Sequence, residues 1–395
     1  MTPVDADRGT ACAARMAERN AVCEQFFARE ANRLAQLSQA MAGRFPLGGR
    51  LLAFGRGPYS TDAQHVSVEF VHPVIVGKRA LPALDLSALY GPWLRAILRP
   101  EDIVMGFAEP AGDPEVSAAL REAKSHGALT VALPGREGDY FCPPATSDPF
   151  VHQEAIEILY HTLWETVHVF LERRELGLDS GEAGFLYPYL GQQQQDASEI
   201  VPEVAASIRM KAGDDARLRT HMAESAGEAI WDASAAIAGR VARGGKLILF
   251  GNGGSATDAN DWAFDCVLPP AGFHPLPAVS LAMEPANITA VANDVGTELI
   301  FLRQLIAQAQ PDDVAIAIST SGGSRNLIMA LEEARKRKLL TVALLGYDGG
   351  EIGRRGLADF ALVVPCDYIP RIQEVQASVY HLIRENLERI IHGNA

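Results

Sequence analysis

The feature that most constrains this chain is that it spells one α/β unit twice. Arg50-Leu51-Leu52-Ala53-Phe54-Gly55 returns in residue type as Lys246-Leu247-Ile248-Leu249-Phe250-Gly251, 196 positions later. Thr61-Asp62-Ala63 returns as Thr257-Asp258-Ala259. Pro100–Val104 is answered by Pro311–Ala315, Ala119–Ala123 by Ala330–Ala334, and Thr130–Gly135 by Thr341–Gly346. Gln153-Glu154 with His161 is answered by Gln373-Glu374 with His381. Matches in one order argue for internal duplication. We therefore expect an N-terminal domain over 1–176, a Gly- and Gln-rich linker over 177–196, and a C-terminal domain over 197–395. In each copy, short apolar runs such as Leu247–Phe250 and Val314–Ile318 alternate with helix-patterned segments. That pattern predicts doubly wound parallel sheets flanked by helices, preceded by helical segments at Ala11–Met41 and Pro202–Arg243.

Such sheets bind ligands at the carboxyl ends of their strands. Two strand-to-helix turns of the C-terminal copy fall there. Gly251-Asn252-Gly253-Gly254-Ser255 follows the first strand. Three glycines in four positions let a ligand approach the backbone, and a helix N-terminus behind them favours an anion. The spacing is neither that of a dinucleotide loop nor that of a P-loop. Ser319-Thr320-Ser321-Gly322-Gly323-Ser324 ends the second strand. Its hydroxyls and the following helix suit phosphate without Lys or Arg. Its plain alternative is a serine-rich helix cap.

Together these two loops resemble those of the SIS (sugar isomerase) domain family, most closely the phosphoheptose isomerases. The resemblance runs from about Pro202 to Glu388 and includes Ala292-Asn293-Asp294, Asp348-Gly349-Gly350 and Arg371-Ile372-Gln373-Glu374. It implies that Gly251 to Ser255 (Gly251, Asn252, Gly253, Gly254, Ser255), Ser319, Thr320, Ser321 and Ser324 hold the phosphate of a sugar phosphate. It also implies that Asn293, Asp294 and Gln373 contact the sugar.

The family's metal and acid/base set is a His and Glu four apart on the first helix, with a Gln and His eight apart on a late helix. In the C-terminal copy these positions hold Asp261, Asp265, Gln373 and His381, so the first pair departs from the pattern. The N-terminal copy holds His65, Glu69, Gln153 and His161, all four of the family's types. Its loops have instead diverged, to Gly55-Arg56-Gly57-Pro58-Tyr59 and to Ala108–Asp113, where Glu109 and Asp113 oppose a phosphate. One copy keeps the cradle and the other the quartet, so a composite site is the expectation. A His-x-x-x-Glu pair alone is ordinary on a helix surface; its place after a repeat-matched loop argues for function. The resemblance assigns Glu69 (or Asp265) as base, His161 (or His381) as acid, and a zinc ion on His65, Glu69, Gln153 and His161. The chemistry implied is aldose–ketose isomerisation through an enediol, most closely sedoheptulose 7-phosphate to heptose 7-phosphate. The alternatives are another aldose phosphate such as arabinose 5-phosphate, aminosugar chemistry, and a non-catalytic sugar-phosphate sensor or initiator-protein-binding module.

A net charge of −14 argues against nucleic acid or an anionic membrane as partner, and no apolar run reaches the ~20 residues of a membrane span. The five cysteines, scattered and without C-x-x-C, read as reduced thiols, and no signal peptide opens the chain, so a cytoplasmic location is expected. Two copies per chain can stand for two subunits, which predicts a homodimer, to be checked by light scattering.

Overall fold

The structure, a computed structural model, describes residues 3–73, 78–176 and 197–393. The linker expected over 177–196 lies outside the described residues. The chain divides into two compact units, Asn20–Asp214 and Met1–Arg19 with Asp215–Ala395, here called the N-terminal and C-terminal units. Two long helices, α1 (Pro3–Arg44) and α6 (Ala197–Val241), contribute to both.

In the N-terminal unit the strands are β1 (Leu51–Gly55), β2 (Ala83–Asp85), β3 (Ile103–Phe107), β4 (Leu129–Leu133) and β5 (Tyr140–Phe141). They form a parallel sheet of order β2-β1-β3-β4-β5. The C-terminal unit repeats it with β6 (Leu247–Gly251), β7 (Ala278–Ser280), β8 (Val314–Ser319), β9 (Leu340–Gly346) and β10 (Phe360–Val364), in the order β7-β6-β8-β9-β10. The duplication reaches individual bonds. Asp102 Oδ1 accepts from the Arg50 N–H at 3.0 Å, and Asp313 Oδ1 from the Lys246 N–H at 2.9 Å. Asp139 Oδ2 and Asp359 Oδ2 accept from the N–H of Thr130 and Thr341, each at 2.9 Å.

The strands are unbroken apolar runs because both faces are covered. Leu247 and Leu249 face one core with Trp262, Val375 and Tyr380, whereas Ile248 and Phe250 face the other with Phe301, Leu327 and Ile352. Leu51 and Ala53 separate from Leu52 and Phe54 in the same way in the N-terminal unit. No described helix is long and apolar enough to cross a membrane, and all five cysteines are free.

Candidate active site

In the C-terminal unit, β6 turns through the glycine-rich loop into α7 (Gly254–Val267). Gly251 is required there: a Cβ on it would lie 2.2 Å from the Ser255 carbonyl oxygen. Ser255 is buried in the first turn of α7, and Gly253 is the N-cap residue, with no side chain bonded to the helix end. The second loop follows β8 and leads into α10 (Arg325–Lys336). Its turn is held by Ser319 Oγ, which accepts from the Gly322 N–H at 3.0 Å. Ser324 is the N-cap residue of α10, but its hydroxyl makes no capping bond. Thr320 is partly covered and Ser321 exposed. Neither N-cap residue bonds its helix end through a side chain, and Asn326 Oδ1 takes only the Leu327 N–H of α10, at 2.9 Å; the earlier N–H groups of both helices, beside hydroxyl-bearing loops, are a setting for an anion.

Asn326, which the sequence reading did not single out, ties the two loops. Its side-chain amide donates to Asn252 Oδ1 at 2.9 Å and accepts from Asn252 Nδ2 at 3.0 Å. In the N-terminal unit the repeat places Arg56 at the position of Asn252, Glu115 at that of Asn326 and Asp113 at that of Ser324. Arg56 Nη1 lies 2.9 Å from Asp113 and 3.3 Å from Glu115. Asp113 Oδ1 accepts from the N–H groups of Glu115 (2.7 Å) and Val116 (3.1 Å), capping α4 (Pro114–Ser125). The protein's own carboxylate thus takes the helix end that a phosphate would use, and an ion pair replaces the neutral amide bridge.

Deeper along α7, Asp261 and Asp265 are buried beside His381, which is fully buried on α12 (Ile369–His392). His381 Nε2 lies 3.3 Å from Asp265 Oδ2 and 3.6 Å from Asp261 Oδ2. The Tyr380 hydroxyl donates to Asp261 Oδ2 at 2.8 Å. Burial, then the charge of Asp261, push the Asp265 carboxyl above the usual carboxylate range, against the hydrogen bond from His381. Gln373 is buried on the second turn of α12, and Gln376 Nε2 donates to the Ser319 carbonyl at 3.3 Å, joining this helix to the second loop. Asn293 and Asp294 are exposed at the end of α8 (Pro285–Asp294), bonded to each other at 2.8 Å.

The N-terminal unit assembles its own set from α2 (Ser60–Val71) and α5 (Pro149–Leu176). His161 Nε2 lies 3.3 Å from His65 Nε2, and His65 Nε2 lies 3.9 Å from Glu69 Oε1. All three are buried. Gln153 Nε2 donates to Asp62 Oδ2 at 3.4 Å. Glu157, midway between Gln153 and His161, joins the cluster: the ligating atoms of His65, Glu157 and His161 lie within 4.8 Å of one another. The same holds for Asp261, Asp265 and His381. Both donor sets, carboxylate oxygens with imidazole nitrogens, fit a divalent cation.

A sequence family described as "SIS domain" matches residues 214–346. The chain is 46% identical over 142 residues to a phosphoheptose isomerase from a Nitratiruptor species, covering 35% of this chain and 73% of that protein. It is 40% identical over 187 residues to one of Solidesulfovibrio magneticus, covering 46% of this chain and 85% of that protein. Across 96% of both chains the fold is similar to the C-terminal domain of glucosamine-fructose-6-phosphate aminotransferase from Francisella tularensis, at a TM-score of 0.63 and 8% identity.

Proposed function

Since the chain belongs to the phosphoheptose isomerase family of SIS-domain proteins, we propose that it interconverts an aldose phosphate and a ketose phosphate, with the chemistry in its C-terminal unit. The observation that carries this reading is one helix. The N-terminus of α7 opens in the phosphate-type loop, and its body presents Asp261 and Asp265 to His381. From Ser255 to Asp261 the helix rises about 9 Å. That spacing suits a long sugar with its phosphate at one end and C1 and C2 at the other, as in sedoheptulose 7-phosphate.

The phosphate rests on the first-turn N–H groups of α7 and α10 and on the hydroxyls of Ser255, Thr320, Ser321 and Ser324. Asp265 takes the proton from C2 of the aldose (or C1 of the ketose) and returns it to the neighbouring carbon. Its raised proton affinity suits a group that must both accept and release a proton near neutral pH. His381 moves the second proton, between O1 and O2, and Tyr380 fixes Asp261. Asp261, Asp265 and His381 are the residues that would hold a zinc-class ion, which supplies polarisation of the substrate carbonyl when bound. Burial of all three keeps bulk water from the enediol.

The test is conversion of sedoheptulose 7-phosphate by the parent protein, Asp265→Asn and Glu69→Gln. A fall of about 10²–10⁴ in kcat in Asp265→Asn is expected, with Glu69→Gln close to parent. Loss in Glu69→Gln alone would assign the chemistry to the set built on His65 and His161. Turnover of arabinose 5-phosphate in place of the heptose substrate would keep the reaction and change the sugar. Absence of turnover with any sugar phosphate that binds would leave a sensor.

A further inference from the structure

We propose that His274, Glu388 and His392 form a second, surface site for a zinc-class divalent cation, outside the candidate active site. The ligating atoms of these three residues lie within 4.8 Å of one another. Glu388 and His392 are one turn apart on α12, so they share a face. Glu388 stands seven residues beyond His381, about 10 Å further along the helix. His274 arrives from the proline-rich loop that follows α7.

The carboxylate is prepared for a cation. Glu388 is buried, and its Oε2 accepts from the His274 N–H at 3.0 Å and from Arg384 Nη1 at 3.2 Å. Those two donors fix the carboxylate from behind. Its Oε1 faces His274 Nδ1 at 2.5 Å. The rings of His274 and His392 stack with centroids 4.0 Å apart and planes 25° apart, and both residues are exposed. Two imidazoles and one carboxylate oxygen are a donor set for zinc, cobalt or nickel rather than for calcium or magnesium. Solvent can fill the remaining positions. Carboxylates that ligate metals are ordinarily held by outer partners in this way.

A cation here would clamp the loop to α12. Arg384 relays that clamp: its Nη2 donates to the His274 carbonyl at 2.6 Å and its Nε to the Asp265 carbonyl at 3.1 Å. The Phe273 ring lies 5.0 Å from its guanidinium. The site thus steadies the end of α7 that carries Asp265 without touching substrate.

The test is titration of the whole chain with cobalt(II) alone, followed by its visible absorption, for the parent, His392→Gln and His274→Gln. Both substitutions are at exposed positions, and a melting curve of each confirms the fold. One fewer cobalt equivalent in both variants, with the remaining equivalents and their spectra unchanged, is the expected result. The same number of equivalents in parent and both variants would overturn the proposal. Asp265→Asn separates this site from the active-site cluster, since it should leave the equivalent lost in His392→Gln in place.

Discussion

Asp265 owes its raised proton affinity to where it sits, not to what it is. The same carboxyl on an exposed helix would be a plain anion; buried about three turns into α7 beside Asp261 it holds its proton more tightly. The i, i+4 spacing of the two aspartates is legible in the sequence, as is the His at the matching place of the late helix. The partner that fixes Asp261 was not singled out. A signal for it existed: a Tyr precedes the His in both copies, as Tyr160-His161 and Tyr380-His381. Glu157 and Asn326 were missed for a similar reason, because no family position marked Glu157 and an amide next to a helix cap reads as ordinary. At Gly322 the backbone itself sets the requirement. Its φ is +60°, and a Cβ would stand 2.2 Å from the Gly349 carbonyl oxygen. Gly322→Ala should therefore cost about 1–2 kcal/mol from the left-handed backbone alone, plus the clash. Because this turn shapes the loop proposed to hold phosphate, the variant should bind inorganic phosphate at least tenfold more weakly; calorimetry giving parent affinity would refute that role.

At the scale of an element, α12 does most of the organising. It is buried from Pro370 to Glu388, so each charge it carries needs a partner within the unit. Arg371 meets Asp215 at 2.6 Å and also Glu374. Glu385 receives Arg19 at 2.8 Å and Arg15 at 2.7 Å, which fastens the start of α1 to the C-terminal unit. Burial pushes the Glu385 carboxyl up, but Arg19 and Arg15 outweigh it and hold the group below its usual range. A carboxyl with a depressed folded value stabilises fully above its unfolded value, about 4.3. That contribution is lost as pH falls through the lower folded value. Glu385→Gln leaves Arg19 buried without its carboxylate, so it should cost about 3–5 kcal/mol at pH 7. The cost should shrink towards pH 3. Thermal melts of parent and variant at the two pH values check this, and an equal loss at both would contradict it. The helix itself was expected from the resemblance, which places Gln373 and His381 on one late helix. That its charges are interior was not, because a charged helix face usually reads as solvated.

For the molecule as a whole, the two copies keep one fold while their loops and the residues at matched site positions differ. Both sheets have the same strand order and the same Asp-to-backbone bonds. In the N-terminal unit Asp113 caps α4 and pairs with Arg56, which also meets Glu115, whereas Ser324 at the matching place makes no capping bond on α10. Calorimetry with inorganic phosphate should accordingly find one site per chain, and Ser324→Asp should abolish it by importing the closure seen at Asp113. Two equivalent sites per chain would contradict the reading of the N-terminal loop as closed.

The edge strands β2, β5, β7 and β10 were not legible in the sequence, whereas the three central strands of each sheet, their burial, the repeat and the two loops were. Each is written in local periodicity or in residues a few places apart, where backbone geometry leaves few options. Tertiary structure alone decided which distant groups meet. Tyr380 reaches Asp261 across 119 positions, Arg384 reaches Asp265 across 119, and His274 reaches Glu388 across 114. Contacts of that range depend on how α7, the loop after it and α12 pack, which no local pattern encodes. Burial by that packing then sets whether a carboxyl is a solvated charge, a proton carrier or a metal ligand.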